Sequence, residues 1–242
     1  MDQARGILTG CDKNMELFLP WWFDHIQKHN TLPVAIIDYG LSDFGKRVAQ
    51  NIGLLIEKQP IPIDKCQEAP SKAFPTYRHE ARELYMYKPF GLTSSPFEHT
   101  IWLDVDCKVK CDLSPLFDTP EFSIALNSVD GQDWAKEYQI FSSLDTPLLN
   151  TGVLVVKKNS PVLQSWCDQT LQKSAQYVLE DVLLSELIAT ENLPISILPS
   201  TYNTHWKCAD TTTKIVHFMN HYGKAVILQE MLAKVCGVED ER

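Results

Sequence analysis

What this sequence lacks narrows it first. No run approaches the roughly 20 consecutive apolar residues that a membrane-spanning helix needs, so no transmembrane segment is expected. Positive charge is in deficit. The 22 Lys and Arg residues stand against 31 Asp and Glu, a formal net charge of −9, which argues against a nucleic-acid partner and the basic face it requires. The seven cysteines, at 11, 66, 107, 111, 167, 208 and 236, are odd in number and contain no Cys-x-x-Cys pair, so neither a zinc knuckle nor a disulfide framework is indicated. Free thiols fit a reducing compartment, and a cytoplasmic location is expected. Cys107 and Cys111 straddle a predicted loop, where a shared metal is the chemistry their spacing would offer. No long apolar segment follows Met1-Asp2-Gln3-Ala4-Arg5-Gly6, so no signal peptide is expected. No glycine-rich basic loop follows the first predicted strand, which disfavours a nucleotidyltransferase. Internal repeats are absent too.

What is present is the composition of an ordinary globular protein, 44% hydrophobic and 22% charged, in a chain of 242 residues long enough for a substantial core. Gly6 to Gly10 reads as a first strand, with Asp12 placed to cap a helix. Met15, Leu19, Trp22 and Ile26 recur at helical spacing, with a kink or break at Pro20. Strands follow at Pro33 to Asp38 and Leu54 to Ile56, separated by a helix over 45–51. Residues 59–76 carry four prolines and read as a loop, and a helix over 78–87 stops at Pro89. Later strands are predicted at Phe122 to Leu126, Val153 to Val156, Ile195 to Leu198 and Lys214 to Phe218. Helices are predicted after Ser160-Pro161 with a stripe of Leu163, Trp166, Cys167, Thr170 and Leu171, over 180–190, and over 225–235. Strands alternating with helices define an α/β protein with a mostly parallel sheet, whose ligands bind beyond the carboxyl ends of the strands. Thr9 and Asp38 would emerge there.

The stretch that carries chemistry is Ile101-Trp102-Leu103-Asp104-Val105-Asp106. An apolar run predicts a buried strand, and residues i and i+2 of a strand point to the same side, so Asp104 and Asp106 are expected to project together. Two carboxylates so placed repel unless a cation sits between them. Oxygen ligands suit Mg²⁺ or Mn²⁺, ions that keep positions open for water and substrate phosphates. The plainer alternative is a pair of solvated acids at a strand end.

Several further pieces, taken in order, resemble the GT-A nucleotide-sugar glycosyltransferases, most closely glycosyltransferase family 8. Lys88-Pro89-Phe90 followed by the 101–106 stretch is similar to the family's segment running into its Asp-x-Asp metal motif. Asn150-Thr151-Gly152-Val153-Leu154 resembles its Asn-Ser/Thr-Gly strand beside the donor sugar. Gln176 to Leu184 resembles its Asp-Gln-Asp helix start, with Leu179 and Glu180 in place of the first acid and the glutamine. Leu198-Pro199-Ser200-Thr201-Tyr202-Asn203 is similar to its Leu-Pro strand ending in Asn, and Val216-His217-Phe218 to its late histidine. After His217 the chain departs from the family's pattern, with Asn220 for a glycine, Lys224 one place late, and no Pro-Trp.

The resemblance implies one GT-A domain over 1–242, a single Rossmann-like mixed, mostly parallel sheet flanked by helices. It implies a metal-dependent transferase that moves a sugar from a UDP-sugar, with retention, to a carbohydrate, lipid or protein acceptor. Mn²⁺ or Mg²⁺ would be held by Asp104, Asp106 and His217. The donor would be bound by Thr9, Asp12, Asp38, Lys88, Asp104, Val105 and Lys224, and the catalytic set would be Asn150, Glu180 and Asp181.

Each of these residues also has a structural reading. His217 lies between apolar neighbours and reads equally as a packed core residue, with His221 as the alternative ligand. Asp181 and Glu180 complement a helix dipole. Asn150 reads as a turn residue, Asp38 as a strand-end acid and Lys88 as a helix-end charge. Trp21-Trp22-Phe23 reads as core or subunit contact rather than a stacking surface. Two other functions fit the Asp-x-Asp stretch: a haloacid-dehalogenase-like phosphohydrolase, and a catalytically inactive GT-A scaffold or binding protein.

Overall fold

A computed structural model describes residues 3–61, 63, 79–138, 140, 141 and 145–237. The predicted loop over 59–76 lies almost wholly outside the described residues, as do Cys66 and Arg78. The first strand, β1 (Gln3–Cys11), is followed by a 3-10 turn and α1 (Leu19–Gln27), β2 (Val34–Asp38), α2 (Asp43–Ile52) and β3 (Leu54–Glu57). Next come α3 (His79–Met86), α4 (Lys88–Thr93), β4 (Phe97–Leu103), β5 (Cys107–Val109), β6 (Phe122–Leu126), α5 (Val129–Glu137) and β7 (Leu149–Lys157). The chain continues through α6 (Pro161–Lys173), α7 (Glu180–Glu191), β8 (Ser196–Ile197), β9 (Thr204–His205), β10 (Ile215–His217) and α8 (Asn220–Val235).

Seven strands form the main sheet in the order β3-β2-β1-β4-β7-β6-β8. The pairs from β3 through β4 are parallel, as is β6 with β8, whereas β7 runs antiparallel to both β4 and β6. Both faces of the sheet are covered. Ile7, Val34, Ile36, Ile101, Leu103, Val153 and Val155 pack on one side. Their neighbours Leu8, Ala35, Ile37, Trp102, Leu154 and Val156 pack on the other. Period-two alternation with both sides buried is why these strands read as continuous apolar runs. Trp21, Trp22 and Ile26 belong to the core and Phe23 packs against it, so the aromatic run is structural.

Three local expectations are corrected. Asp12 caps no helix; its Oδ1 accepts from the Asn14 backbone N–H at 3.0 Å, an Asx turn, and the first helical turn begins after Met15. Pro20 occupies the first turn of α1, where it has no helical partner to lose, so the helix starts there rather than kinking. Leu171 is 41% exposed and lies outside the buried stripe of α6.

The position of β7 matters most for function. Because it is antiparallel, its beginning (Leu149, Asn150, Thr151) lies at the edge where the parallel strands end. The Asp104 N–H reaches the Gly152 carbonyl at 2.9 Å across that edge. A small second sheet, β5-β10-β9, closes the same end. There β10 pairs antiparallel with β5, placing His217 opposite Cys107, and the Phe218 N–H donates to the Asp106 carbonyl at 3.0 Å.

Candidate functional site

The strand carrying the carboxylates ends at Leu103, earlier than expected. Asp104 to Asp106 form a turn closed by the Cys107 N–H on the Asp104 carbonyl at 3.0 Å. Strand alternation therefore does not bring the two acids together; the turn does, helped by the second sheet. Asp106 divides its oxygens between two partners, whereas Asp104 meets Lys88 with both. Asp104 Oδ1 accepts the Trp102 indole N–H at 2.7 Å and the Lys88 ammonium at 3.1 Å. Asp106 Oδ2 takes the Lys224 ammonium. Asp106 Oδ1 faces His217 Nε2 at 3.3 Å, and Asp104 Oδ2 lies 3.8 Å from the same nitrogen while also accepting from Lys88 at 3.4 Å.

The histidine is fixed from behind. Its Nδ1 lies 2.9 Å from Asn203 Oδ1. The Asn203 amide nitrogen donates to Asn150 Oδ1 at 2.7 Å, and Asn150 Oδ1 also accepts the Gly152 N–H at 3.1 Å. This chain leaves Asn203 Oδ1 as an acceptor only, so Nδ1 carries a proton and Nε2 is the ring nitrogen turned toward the carboxylates. A metal-ligating histidine is oriented in this way.

The donor set fits a hard divalent cation. Adjacent ligands of an octahedral ion with bonds of about 2.1 Å sit on the order of 3 Å apart, close to the separations here. Cys107 lies within reach of Asp106 and His217. Its thiol, however, is pushed well up by burial and then by Asp106 and Asp104, and it points at the Gly152 carbonyl, so Asp104 is the better third ligand. His221 is exposed, unlike His217.

Beside this group lies a buried ionic knot. Lys88, only 5% exposed, contacts Asp104, Glu180 Oε1 at 2.9 Å, and Thr151 through both its hydroxyl at 2.9 Å and its carbonyl at 3.3 Å. Burial alone would lower its pKa, but Asp104 and Glu180 outweigh that and raise it. Glu180 also accepts the Thr151 hydroxyl at 2.7 Å. Burial works against its charge, yet Lys88 and Thr151 hold its pKa below the ordinary value. Asp181 is the opposite case: burial, then the Glu180 charge, push it up to about 8, and its Oδ1 is buried without a hydrogen-bond partner among the described residues. One first turn thus holds two neighbouring carboxyls whose pKa values are pushed in opposite directions.

That asymmetry has a consequence for stability. Between about pH 4 and 8 the folded protein holds a proton at Asp181 that the unfolded chain has released, so this group makes stability fall as pH rises through the window. Asp181→Asn is expected to flatten the decline. Urea midpoints at pH 5 and 8.5 check this, and an equal decline in the variant would contradict it.

Sequence reasoning placed Lys224 here only by resemblance. Helix α8 starts at Asn220, five residues before the predicted start, and that puts Lys224 in its early turns, over Asp106. Asn220 has φ 58°, the left-handed region where asparagine is the usual substitute for glycine. Asparagine in the glycine's place therefore supplies a conformation a glycine would also adopt.

The other expected donor residues stand apart. Thr9 is buried near the end of β1, its hydroxyl without a partner among the described residues. Asp38 Oδ1 accepts from the Gly40 and Leu41 N–H groups, and its Oδ2 pairs with the Lys46 ammonium. Thr9, Asp12 and Asp38 share the sheet edge with the cluster, but none of their described contacts joins it. The Val105 side chain packs in the core, leaving its backbone for the site. Trp102, Thr151 and Asn203 were not expected as site residues, although each lies in a segment the sequence singled out: the 101–106 stretch, Asn150-Thr151-Gly152 and the end of the Leu-Pro segment.

No protein-family model matches this chain, and no curated protein does. Solved structures do match. The bifunctional glycosyltransferase WbbM, in its apo form, aligns with a TM-score of 0.62 at 12% identity over 91% of this chain and 46% of its own, so this chain spans about half of WbbM. The galactosyltransferase LgtC, solved with donor and acceptor sugar analogues, aligns at 0.57 and 15% identity over 89% of this chain and 87% of its own. Mouse xyloside xylosyltransferase 1, in its apo form, aligns at 0.55 and 12% identity over 92% and 99%. The chain has the GT-A fold of nucleotide-sugar glycosyltransferases. Among the described residues no helix is long and apolar enough to cross a membrane.

Proposed function

We propose that residues 1–242 act as one GT-A unit that transfers a sugar from a UDP-sugar to a carbohydrate, lipid or protein acceptor, with retention, and depends on Mn²⁺ or Mg²⁺. The observation that carries this reading is the convergence of Asp104 Oδ2, Asp106 Oδ1 and His217 Nε2 at the ligand-binding edge of a GT-A sheet. When bound there, the ion would supply Lewis-acid neutralisation of the charge growing on the diphosphate leaving group. Lys88 and Lys224 add fixed positive charge beside it. Asn150, its carbonyl oxygen held by Gly152 and Asn203, is positioned to meet the donor sugar. Glu180, kept ionised by Lys88 and Thr151, can balance positive character at the anomeric carbon, and Asp181 offers a proton for a hydrogen bond to a sugar oxygen. The LgtC complex with donor and acceptor analogues supports a site of this kind on this fold.

Isothermal titration of UDP into metal-free protein, with and without Mn²⁺, tests the reading. Binding that requires the metal, accompanied by slow hydrolysis of a UDP-sugar in the absence of acceptor, is expected. Metal-independent UDP binding would overturn it, and metal-dependent binding with no turnover of any UDP-sugar would leave a binding protein in place of an enzyme.

A further inference from the structure

One chemistry-bearing side chain at this end of the sheet serves neither the hard-ion set nor the ionic knot. Cys107 opens β5 and stands opposite His217 of β10 in the antiparallel ladder. Residues directly opposite in such a ladder point to the same side, so the thiol and the imidazole share a face. The pairing is pinned by the Cys107 N–H on the Asp104 carbonyl and the Phe218 N–H on the Asp106 carbonyl, each at 3.0 Å. One ligand atom each from Asp106, Cys107 and His217 lies within 4.8 Å of the others, and all three residues are buried.

Carboxylate, thiol and imidazole together make a donor set for a borderline or soft ion rather than a hard one. A tetrahedral Zn²⁺ with a sulfur bond of about 2.3 Å and nitrogen or oxygen bonds of about 2.0 Å holds its ligand atoms roughly 3.5 Å apart. Asp106 Oδ1 and His217 Nε2 already stand at 3.3 Å. Only the sulfur has to close up, and what holds it is a weak contact with the Gly152 carbonyl at 3.7 Å. Asp104, whose side chain is 27% exposed, borders the group on its open side, and either it or a water can complete the four ligands. Mn²⁺ and Mg²⁺ gain little from sulfur and leave the thiol its proton. Zn²⁺ takes the proton's place and releases it to solvent.

We propose that Asp106, Cys107 and His217 form a second donor set, for thiophilic dications and Zn²⁺ above all, that shares two of its ligands with the hard-ion set. The two sets exclude each other, because the same carboxylate and the same imidazole serve both. Zn²⁺ held through sulfur draws Asp106 and His217 away from the place that Mn²⁺ would take beside Asp104, and so inhibits a Mn²⁺-dependent reaction here. The inhibition rests on the nucleotide-sugar reading above; the binding of Zn²⁺ does not.

Co²⁺ reports the sulfur directly, since a thiolate bound to it gives a charge-transfer absorption in the near ultraviolet that oxygen and nitrogen ligands do not. Co²⁺ added to reduced, metal-free protein without nucleotide is expected to give that band, and Zn²⁺ to abolish it. Cys107→Ala and Cys107→Ser should lack it. Competition calorimetry should show Zn²⁺ favoured over Mn²⁺ in the wild type. That preference should fall by about tenfold or more in both variants, while their Mn²⁺ affinity stays within about threefold of wild type. Serine fills nearly the same space and can donate to the Gly152 carbonyl, which guards against an alanine variant that fails to fold. No thiolate band in the wild type would overturn the proposal. So would a band that survives in both variants, which would place the cobalt on other thiols such as the exposed Cys208 and Cys236. Equal losses of Zn²⁺ and Mn²⁺ affinity in the variants would also overturn it, by making Cys107 a packing residue and not a ligand. Failure of UDP to bind counts against the nucleotide reading alone, because the cobalt band is measured without nucleotide.

Discussion

Asp106→Asn is expected to weaken Mn²⁺-dependent UDP binding by at least ~100-fold, more than the loss of an outer-shell partner of a metal ligand ordinarily costs. The reason lies in the two faces of this carboxylate. One oxygen meets Lys224 and the other meets His217 Nε2 at 3.3 Å. An asparagine has one oxygen and one amino group to distribute. With its oxygen toward Lys224, the amino group faces His217 Nε2, so a proton-bearing nitrogen fills the place where a cation must sit. With the amino group toward Lys224, two donors face each other across a buried contact. The first orientation keeps an acceptor on the Lys224 ammonium and should prevail, so the protein should fold. The Lys224 ammonium would lose its ionised partner, and stability should fall by about 1–3 kcal/mol. Thermal melting beside the UDP titration separates the two effects. Metal-dependent binding within about threefold of wild type would remove Asp106 from the ligand set.

How much of this was legible beforehand differs between the fold and the site. The α/β class followed from apolar runs alternating with amphipathic stretches, because strands buried on both faces leave that mark. The antiparallel insertion of β7 left none, since pairing direction depends on where the chain returns and not on the composition of the strand. Asp104 and Asp106 stood out as a local pattern, yet the geometry assigned to them was that of a strand, and the chain turns there instead. What organises the site is long-range. Asn203 reaches His217 and Asn150 across 14 and 53 residues, and Lys224 reaches Asp106 across 118. No window of sequence contains such a pair, so only an ordered series of family-like segments pointed to it. The opposed pKa shifts of Glu180 and Asp181 were equally hidden, because they depend on the burial of both and on a lysine 92 residues away in the chain from Glu180.

The second large effect is expected from a residue with no side chain. Gly152 lies in β7 between Thr151, which serves Lys88 and Glu180, and the Asp104 N–H bonded to its own carbonyl. A Cβ added there would sit 2.1 Å from His217 Cε1, 2.5 Å from His217 Nδ1 and 3.0 Å from Asn150 Oδ1. Contacts that short cannot stand, and the imidazole has no room to retreat, since it is buried and tied to Asn203. Gly152→Ala must therefore rotate His217 out of line, break the Asn203 bond, or spread β7 from β10. Overpacking of this kind costs about 1–3 kcal/mol of stability. Turning Nε2 away from the carboxylates should lower Mn²⁺ affinity by about 10–100-fold, measured in the presence of UDP. A double-mutant cycle with His217→Ala distinguishes steric displacement from general damage to the strand. If the alanine acts by pushing the imidazole, removing the ring makes space for the new methyl group. The double variant should then be about as stable as His217→Ala alone, while both bind Mn²⁺ equally poorly. Additive stability losses in the double variant would instead locate the damage in the β7 backbone and leave His217 where it stands.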